Sequence, residues 1–207
     1  MNLHVVDHPL ASHALHHLRD RQCRTGDFRH YSDLATSVVL LEVLRHLPTV
    51  EGRVQTPLEV TSSRHLASIP VWIPVLRAGL AMLRVAQAWF PDAEVGMMGL
   101  ERDEVTACAK SYYEKLPDLE GRPVVVLDPM LATGGSLCHV LRRILASRNP
   151  ASLQVACVVA APEGVAVIQE QFPSVRIVTA SLDRGLNERA YIVPGLGDFG
   201  DRYHGTC

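Results

Sequence analysis

The residues best suited to chemistry lie between positions 124 and 136. Val124-Val125-Val126-Leu127 is an apolar, β-branched run, and Asp128-Pro129-Met130-Leu131-Ala132-Thr133-Gly134-Gly135-Ser136 follows it. A buried strand that ends in an acid, passes through a loop of small residues and enters a helix can hold an anion. Small residues let a ligand reach the main chain. The free N–H groups and the dipole at a helix start favour negative charge. Thr133 and Ser136 add hydroxyl donors. A nucleotide P-loop would need a GK[ST] lysine and a dinucleotide loop a GxGxxG pattern after the strand, and the 124–136 segment has neither. Asp128, standing before the cradle, suggests a sugar whose hydroxyls it accepts while the loop holds a 5'-phosphate. An ordinary strand–turn–helix connection shares this composition, because glycine turns are common.

Two arginines stand at comparable places. Arg77 follows the apolar run 71–76, and Arg102 follows a second strand candidate at 95–100. Arginine is the usual fork for phosphate oxygens and equally a common partner in exterior ion pairs. The tail at 191–201 is dense in Gly and Pro. That composition holds an irregular backbone open, whereas a plain C-terminal strand would carry fewer glycines.

These residues need a scaffold that sets strand ends beside helix starts. From position 71 onward, apolar runs at 71–76, 95–100, 124–127, 155–160 and 176–181 alternate with helical periodicity at 79–89, 137–145 and 164–172. Short all-apolar strands separated by helices predict a parallel sheet covered on both faces. Ligands of such sheets bind beyond the strand C-termini. Function is therefore expected in the loops at 77–79, 101–103, 128–136 and 161–164. The first third reads as helical, with Leu10, Ala14, Leu15 and Leu18 at helical spacing. A longer helix is expected from about Tyr31 to Leu47, with Ser32 or Asp33 near its start and Pro48 beyond its end. Its apolar residues, Val38, Val39, Leu40, Leu41, Val43 and Leu44, spread over more than one face and could bury a subunit contact. Residues 52–69 are polar and broken by Pro57, which predicts turns and short edge strands.

With 207 residues, 47% hydrophobic and 20% charged, the chain can bury a sizeable core and is not of disordered type. A net charge of -2 gives no footprint for nucleic acid or an anionic membrane. The apolar stretch 71–90 is interrupted by Pro74, Arg77 and Arg84 and reads as no membrane span. Five scattered cysteines, Cys23, Cys108, Cys138, Cys157 and Cys207, read as reduced thiols of a cytoplasmic protein. His13, His16 and His17 have no acidic or Cys partner at ligand spacing and read as a solvated helix face. Trp72 and Trp89 suit a sheet–helix core, and Cys138 suits a small core residue.

The 128–136 loop resembles the phosphoribosyl diphosphate loop of type I phosphoribosyltransferases. Most of those have two adjacent acids; Asp128-Pro129 resembles the uracil phosphoribosyltransferase version. Ordered matches run through nearly the whole chain: Val75-Leu76-Arg77-Ala78-Gly79-Leu80, Tyr112-Tyr113-Glu114-Lys115-Leu116-Pro117, Ala160-Ala161-Pro162-Glu163-Gly164, Gly185-Leu186-Asn187-Glu188 and the tail 191–201. The resemblance implies an α/β, type I phosphoribosyltransferase-like fold: a central mostly parallel sheet with helices on both faces, plus a small hood and a β-arm. It implies one domain over 1–207, including a helical segment at about 1–50 and a base-binding hood at about 182–207. The implied reaction joins uracil to the phosphoribosyl group of phosphoribosyl diphosphate, giving UMP and diphosphate in pyrimidine salvage.

The resemblance also implies roles. Arg77 and Arg102 would meet the diphosphate, and Asp128 through Ser136 the ribose phosphate. Uracil would lie against the main chain of Ile192, Gly197, Asp198 and Phe199, with the Phe199 ring a candidate wall. Asp198 would also contact the phosphoribosyl diphosphate complex. Mg2+ would bind mainly through substrate oxygens, with Asp198 as its candidate protein contact. A homodimer or larger assembly is implied; GTP is an effector in parts of the family, and no motif here establishes it. Pro129 stands where most type I phosphoribosyltransferases have a second acid, and the chain departs from the family at Val105, Ala107 and Ala109 around a stretch, 106–111, expected to form a mobile flap. Competing readings keep the fold with a purine or orotate as the base, or make it a regulatory nucleotide- or RNA-binding protein. Pro129 and the tail disfavour a purine, and the net charge disfavours RNA.

Overall fold

The computed structural model describes residues 2–102 and 109–206. The chain opens with β1 (Leu3–Val5), α1 (Pro9–Arg19) and α2 (Thr25–Leu44), then a hairpin of β2 (Thr49–Gln55) and β3 (Val60–Leu66). It continues through β4 (Val71–Leu76), α3 (Gly79–Trp89), β5 (Met97–Arg102), β6 (Ala109–Lys115), β7 (Pro123–Leu127), β8 (Met130–Leu131), α4 (Gly135–Ser147), β9 (Ser152–Ala160), α5 (Pro162–Gln171) and β10 (Arg176–Leu182). A short ribbon of β11 (Gly185–Leu186) and β12 (Ile192–Val193) and a final helix α6 (Phe199–His204) close it.

The main sheet runs β1-β10-β9-β7-β4-β5-β6, and β8 prolongs the β7 line against β9. Neighbours are parallel except β5 and β6. Successive side chains of a strand leave on opposite faces, and the two cores divide accordingly. Trp72, Val125 and Leu127 join a cluster with α1, α2, α3 and α6, while Val71, Ile73, Val124 and Val126 join one with α4 and α5. Burial on both faces is why these strands read as unbroken apolar runs. No helix among the described residues is long and apolar enough to cross a membrane.

Several expectations are corrected. The long helix starts at Thr25 and ends at Leu44, not at about 31 and 47. Ser32 is fully buried and Asp33 pairs with Arg84 of α3, so neither caps a helix. Val38, Val39, Leu40 and Val43 are covered by the chain's own elements, because α2 packs against α1, α3, β9, β10 and α6. A helix enclosed on several sides reads apolar all round. That pattern reports internal burial here, and Leu41 alone of the four consecutive apolar residues 38–41 is exposed. Residues 52–66 of the polar 52–69 stretch belong to a hairpin of two fully paired seven-residue strands. Pro57 sits in its turn, where the Thr56 hydroxyl accepts from Leu58 and Glu59 N–H. Trp72 is buried as expected, but Trp89 is 36% exposed at the end of α3.

Candidate active site

Strands β4, β7 and β9 are parallel neighbours, so the loops leaving them meet at one edge of the sheet. Glycines set how closely those loops approach. A Cβ at Gly79 would lie 2.4 Å from the Leu127 carbonyl oxygen, and one at Gly164 would lie 2.2 Å from that of Ala132. Gly79 thus draws the start of α3 onto the end of β7. Gly164 seats the start of α5 against the 128–136 loop. Helix α4 begins after Gly134, which has φ +82° and supplies no side-chain cap. The Gly135 N–H makes one long bond, 3.5 Å, to the Thr133 hydroxyl, and a helix start of this kind favours an anion.

A cleft of about 400 Å³ opens on this loop, lined by Asp128, residues 130–137, residues 189–192 and Asp198. A smaller cleft of about 260 Å³ is lined by Arg77, Ala78, Met130, Asp198, Phe199 and Gly200. Met130 and Asp198 border both, so the predicted phosphate loop and Arg77 face adjoining parts of one region. Asp128 is half-buried, and its Oδ1 accepts from the Met130 N–H at 3.3 Å. Burial pushes its carboxyl from an ordinary 3.8 up to about 7, with the Met130 bond pulling the other way. Arg77 is 61% exposed, and its contact with Asp201 is long, at 3.7 Å. Its guanidinium is therefore available to a ligand. The Leu76–Arg77 peptide is cis. Asp198 caps α6, its Oδ1 accepting from Asp201 N–H at 2.9 Å.

These elements, in this order, recur in known proteins. The family model for uracil phosphoribosyltransferase matches residues 5–206. The chain belongs to the uracil phosphoribosyltransferase family. Proteins described as uracil phosphoribosyltransferase from Bacillus thuringiensis (strain Al Hakam) and Bacillus mycoides (strain KBAB4) are each 44% identical over 206 residues, covering 99% of this chain and 98% of theirs. The solved structure of the AQ2163 protein from Aquifex aeolicus superposes with a TM-score of 0.92 at 37% identity, covering 98% of this chain and 97% of that one. The fold is the type I phosphoribosyltransferase-like one that the resemblance implied.

Other predicted residues of the family site fall in varied places. Pro129 is buried, and its carbonyl accepts from the N–H groups of Val158 and Val159, so it faces the sheet. Ile192 is buried in the β11–β12 ribbon opposite Leu186. Gly197, with φ +79°, borders a third cavity behind the loop rather than the two clefts. The Phe199 ring does not wall the clefts. It is 1% exposed, edge-on to Phe28 and stacked on Tyr203. Arg102 ends β5, its main chain registered with Ala109. The departures at Val105 and Ala107, and most of the expected flap, lie outside the described residues.

Sequence reasoning missed Arg189, Ala190 and Tyr191 on the cleft wall. Asn187 places them: its Oδ1 accepts from the N–H groups of Arg189 and Tyr191, both at 3.0 Å, and Ala190 takes φ +60°. Among the described residues lining the larger cleft, Arg189 is the one cation. An Asx turn at Asn187 is legible in sequence, but its landing place is not.

Proposed function

We propose that the chain transfers the phosphoribosyl group of phosphoribosyl diphosphate to uracil, releasing diphosphate and forming UMP. The observation that carries this reading is the pair of clefts joined along Met130 and Asp198, with a helix-start phosphate cradle in one and Arg77 in the other. The 5'-phosphate sits on the first turn of α4 with Thr133 and Ser136, faced by Arg189. Asp128 accepts the ribose hydroxyls. Breaking the C1–O bond builds positive charge on the ribose ring and negative charge on the departing diphosphate. Arg77 and Arg102 meet that negative charge, and a fixed cation there binds more strongly in the transition state than before it. The main chain at 192 and 197–199 presents donors and acceptors to the uracil edge.

Magnesium fits this site as an ion brought by the substrate. Among the described residues no group of three or more His, Cys, Asp or Glu could hold a metal, and Asp198 is an exposed carboxylate where the clefts join. Few protein ligands suit an ion held by phosphate oxygens and water. When bound, the ion neutralises diphosphate charge. The same reading takes a homodimer or larger assembly as the working unit, GTP as a candidate effector, and the cytoplasm as its place. The free thiols of Cys23, Cys138 and Cys157 suit a reducing compartment. Steady-state diphosphate release with uracil, comparing the parent with Asp128→Asn and Arg77→Ala, tests the site. Large losses in both are expected; full activity in both would remove these residues from it.

A further inference from the structure

The segment expected to read the base has little side chain to read with. Between Ile192 and the 197–199 main chain it runs through Pro194, Gly195, Leu196 and Gly197; the glycines have φ +60° and +79°, and Leu196 is turned into the core. A main chain can select a base only if it is held still, and glycines do not hold themselves. The bonds that hold this one converge on residues outside both clefts. Asp183 Oδ2 accepts from the Gly195 N–H at 2.9 Å and from Arg19 Nη1 at 2.8 Å. Its Oδ1 accepts from Arg19 Nη2 at 2.6 Å and from the Ser181 hydroxyl at 2.7 Å. Arg19 Nη1 also donates to the Gly195 carbonyl at 2.9 Å. Both main-chain polar groups of Gly195 therefore end on one ion pair.

That pair is built into the protein. The Asp183 side chain is 1% exposed and that of Arg19 25%. Burial alone would raise the Asp183 carboxyl, but hydrogen bonds from Arg19 and Ser181 outweigh it and hold the group below its usual range. Arg202 secures the next carbonyl, donating to Leu196 at 2.6 Å and to Asp20 at 2.5 Å, and also to Leu18. The loop is thus tied to the end of α1.

Resting on the uracil reading above, we propose that Arg19 and Asp183 are positioning residues for base recognition. They fix the main chain at Gly195, in the turn that leads from Ile192 to Gly197, without touching the substrate. Neither lines the phosphate cleft, so their loss should be felt at uracil and not at phosphoribosyl diphosphate.

The test uses Arg19→Lys, which keeps a cation but loses the fork that spans Asp183 and Gly195, and Ser181→Ala, which removes one donor from Asp183. Each substrate is varied separately, and far-UV circular dichroism checks the fold. The uracil KM should rise about tenfold in Arg19→Lys and about fivefold in Ser181→Ala. The phosphoribosyl diphosphate KM should stay within a factor of about two. An unchanged uracil KM, or a parallel rise in both KM values, overturns the proposal. If Arg19→Lys does not fold, Ser181→Ala decides by the same criterion. A parent that turns over no uracil overturns the functional reading, and the proposal with it.

Discussion

Replacing Asp128 by Asn is expected to trade activity for stability, by an amount that depends on pH. The folded protein holds the Asp128 proton up to about 7, against 3.8 ordinarily, chiefly because of burial. Between those values the folded state binds more protons than the unfolded chain, so this group's contribution falls as pH rises. Below 3.8 the penalty is absent, and above about 7 it is complete. At about 1.36 kcal/mol per pH unit the full penalty is roughly 4 kcal/mol. The side chain is only half-buried, and solvent screening leaves about half of that. Asn cannot ionise, yet it keeps an oxygen for the Met130 N–H. The stability advantage of Asp128→Asn over the parent should therefore grow by about 1–2 kcal/mol between about pH 5 and pH 8, roughly 3–6 °C in Tm for a chain of this size. Thermal unfolding of both proteins across that range measures it, and kcat/KM for phosphoribosyl diphosphate should fall about a hundredfold. An advantage that does not change with pH would refute the burial of an ionised carboxylate. Parental activity in the variant would refute its role on the ribose.

Other outcomes follow from the same geometry. Arg77→Ala should lower kcat about a hundredfold with little change in Tm, since its ion pair with Asp201 is exposed and 3.7 Å long; steady-state kinetics and calorimetry check both. Gly164→Ala would push a methyl onto the Ala132 carbonyl. It should cost about 2 kcal/mol in denaturant unfolding and raise the phosphoribosyl diphosphate KM. Arg189→Ala should raise that KM about tenfold and flatten its salt dependence, read from kinetics at two ionic strengths.

How much of this was legible depended on whether the signal was local. Residues 71–76 and 79–89 formed a strand and a helix where the pattern placed them, because each buries a continuous set of apolar side chains. The start of α2 was obscured by Ser32 and Asp33, which have cap-forming side chains but serve the core and an ion pair with Arg84. The β2–β3 hairpin lacks apolar alternation and leaves Val50, Val54, Leu58 and Val60 exposed, so no periodicity announced it. The phosphate cradle was readable because its acid, small residues and helix start are contiguous. Arg189 reaches the cleft only through the Asn187 turn, and the Phe199 ring leaves it because α6 begins there. The Arg19–Asp183 pair joins positions far apart in sequence, and no local motif marks it.

The central claim is the identity of the base. Diphosphate release from phosphoribosyl diphosphate, measured side by side with uracil, hypoxanthine and orotate, tests it most directly. The account predicts turnover with uracil and formation of UMP, with the other two far behind. Turnover of hypoxanthine or orotate with none of uracil would contradict it.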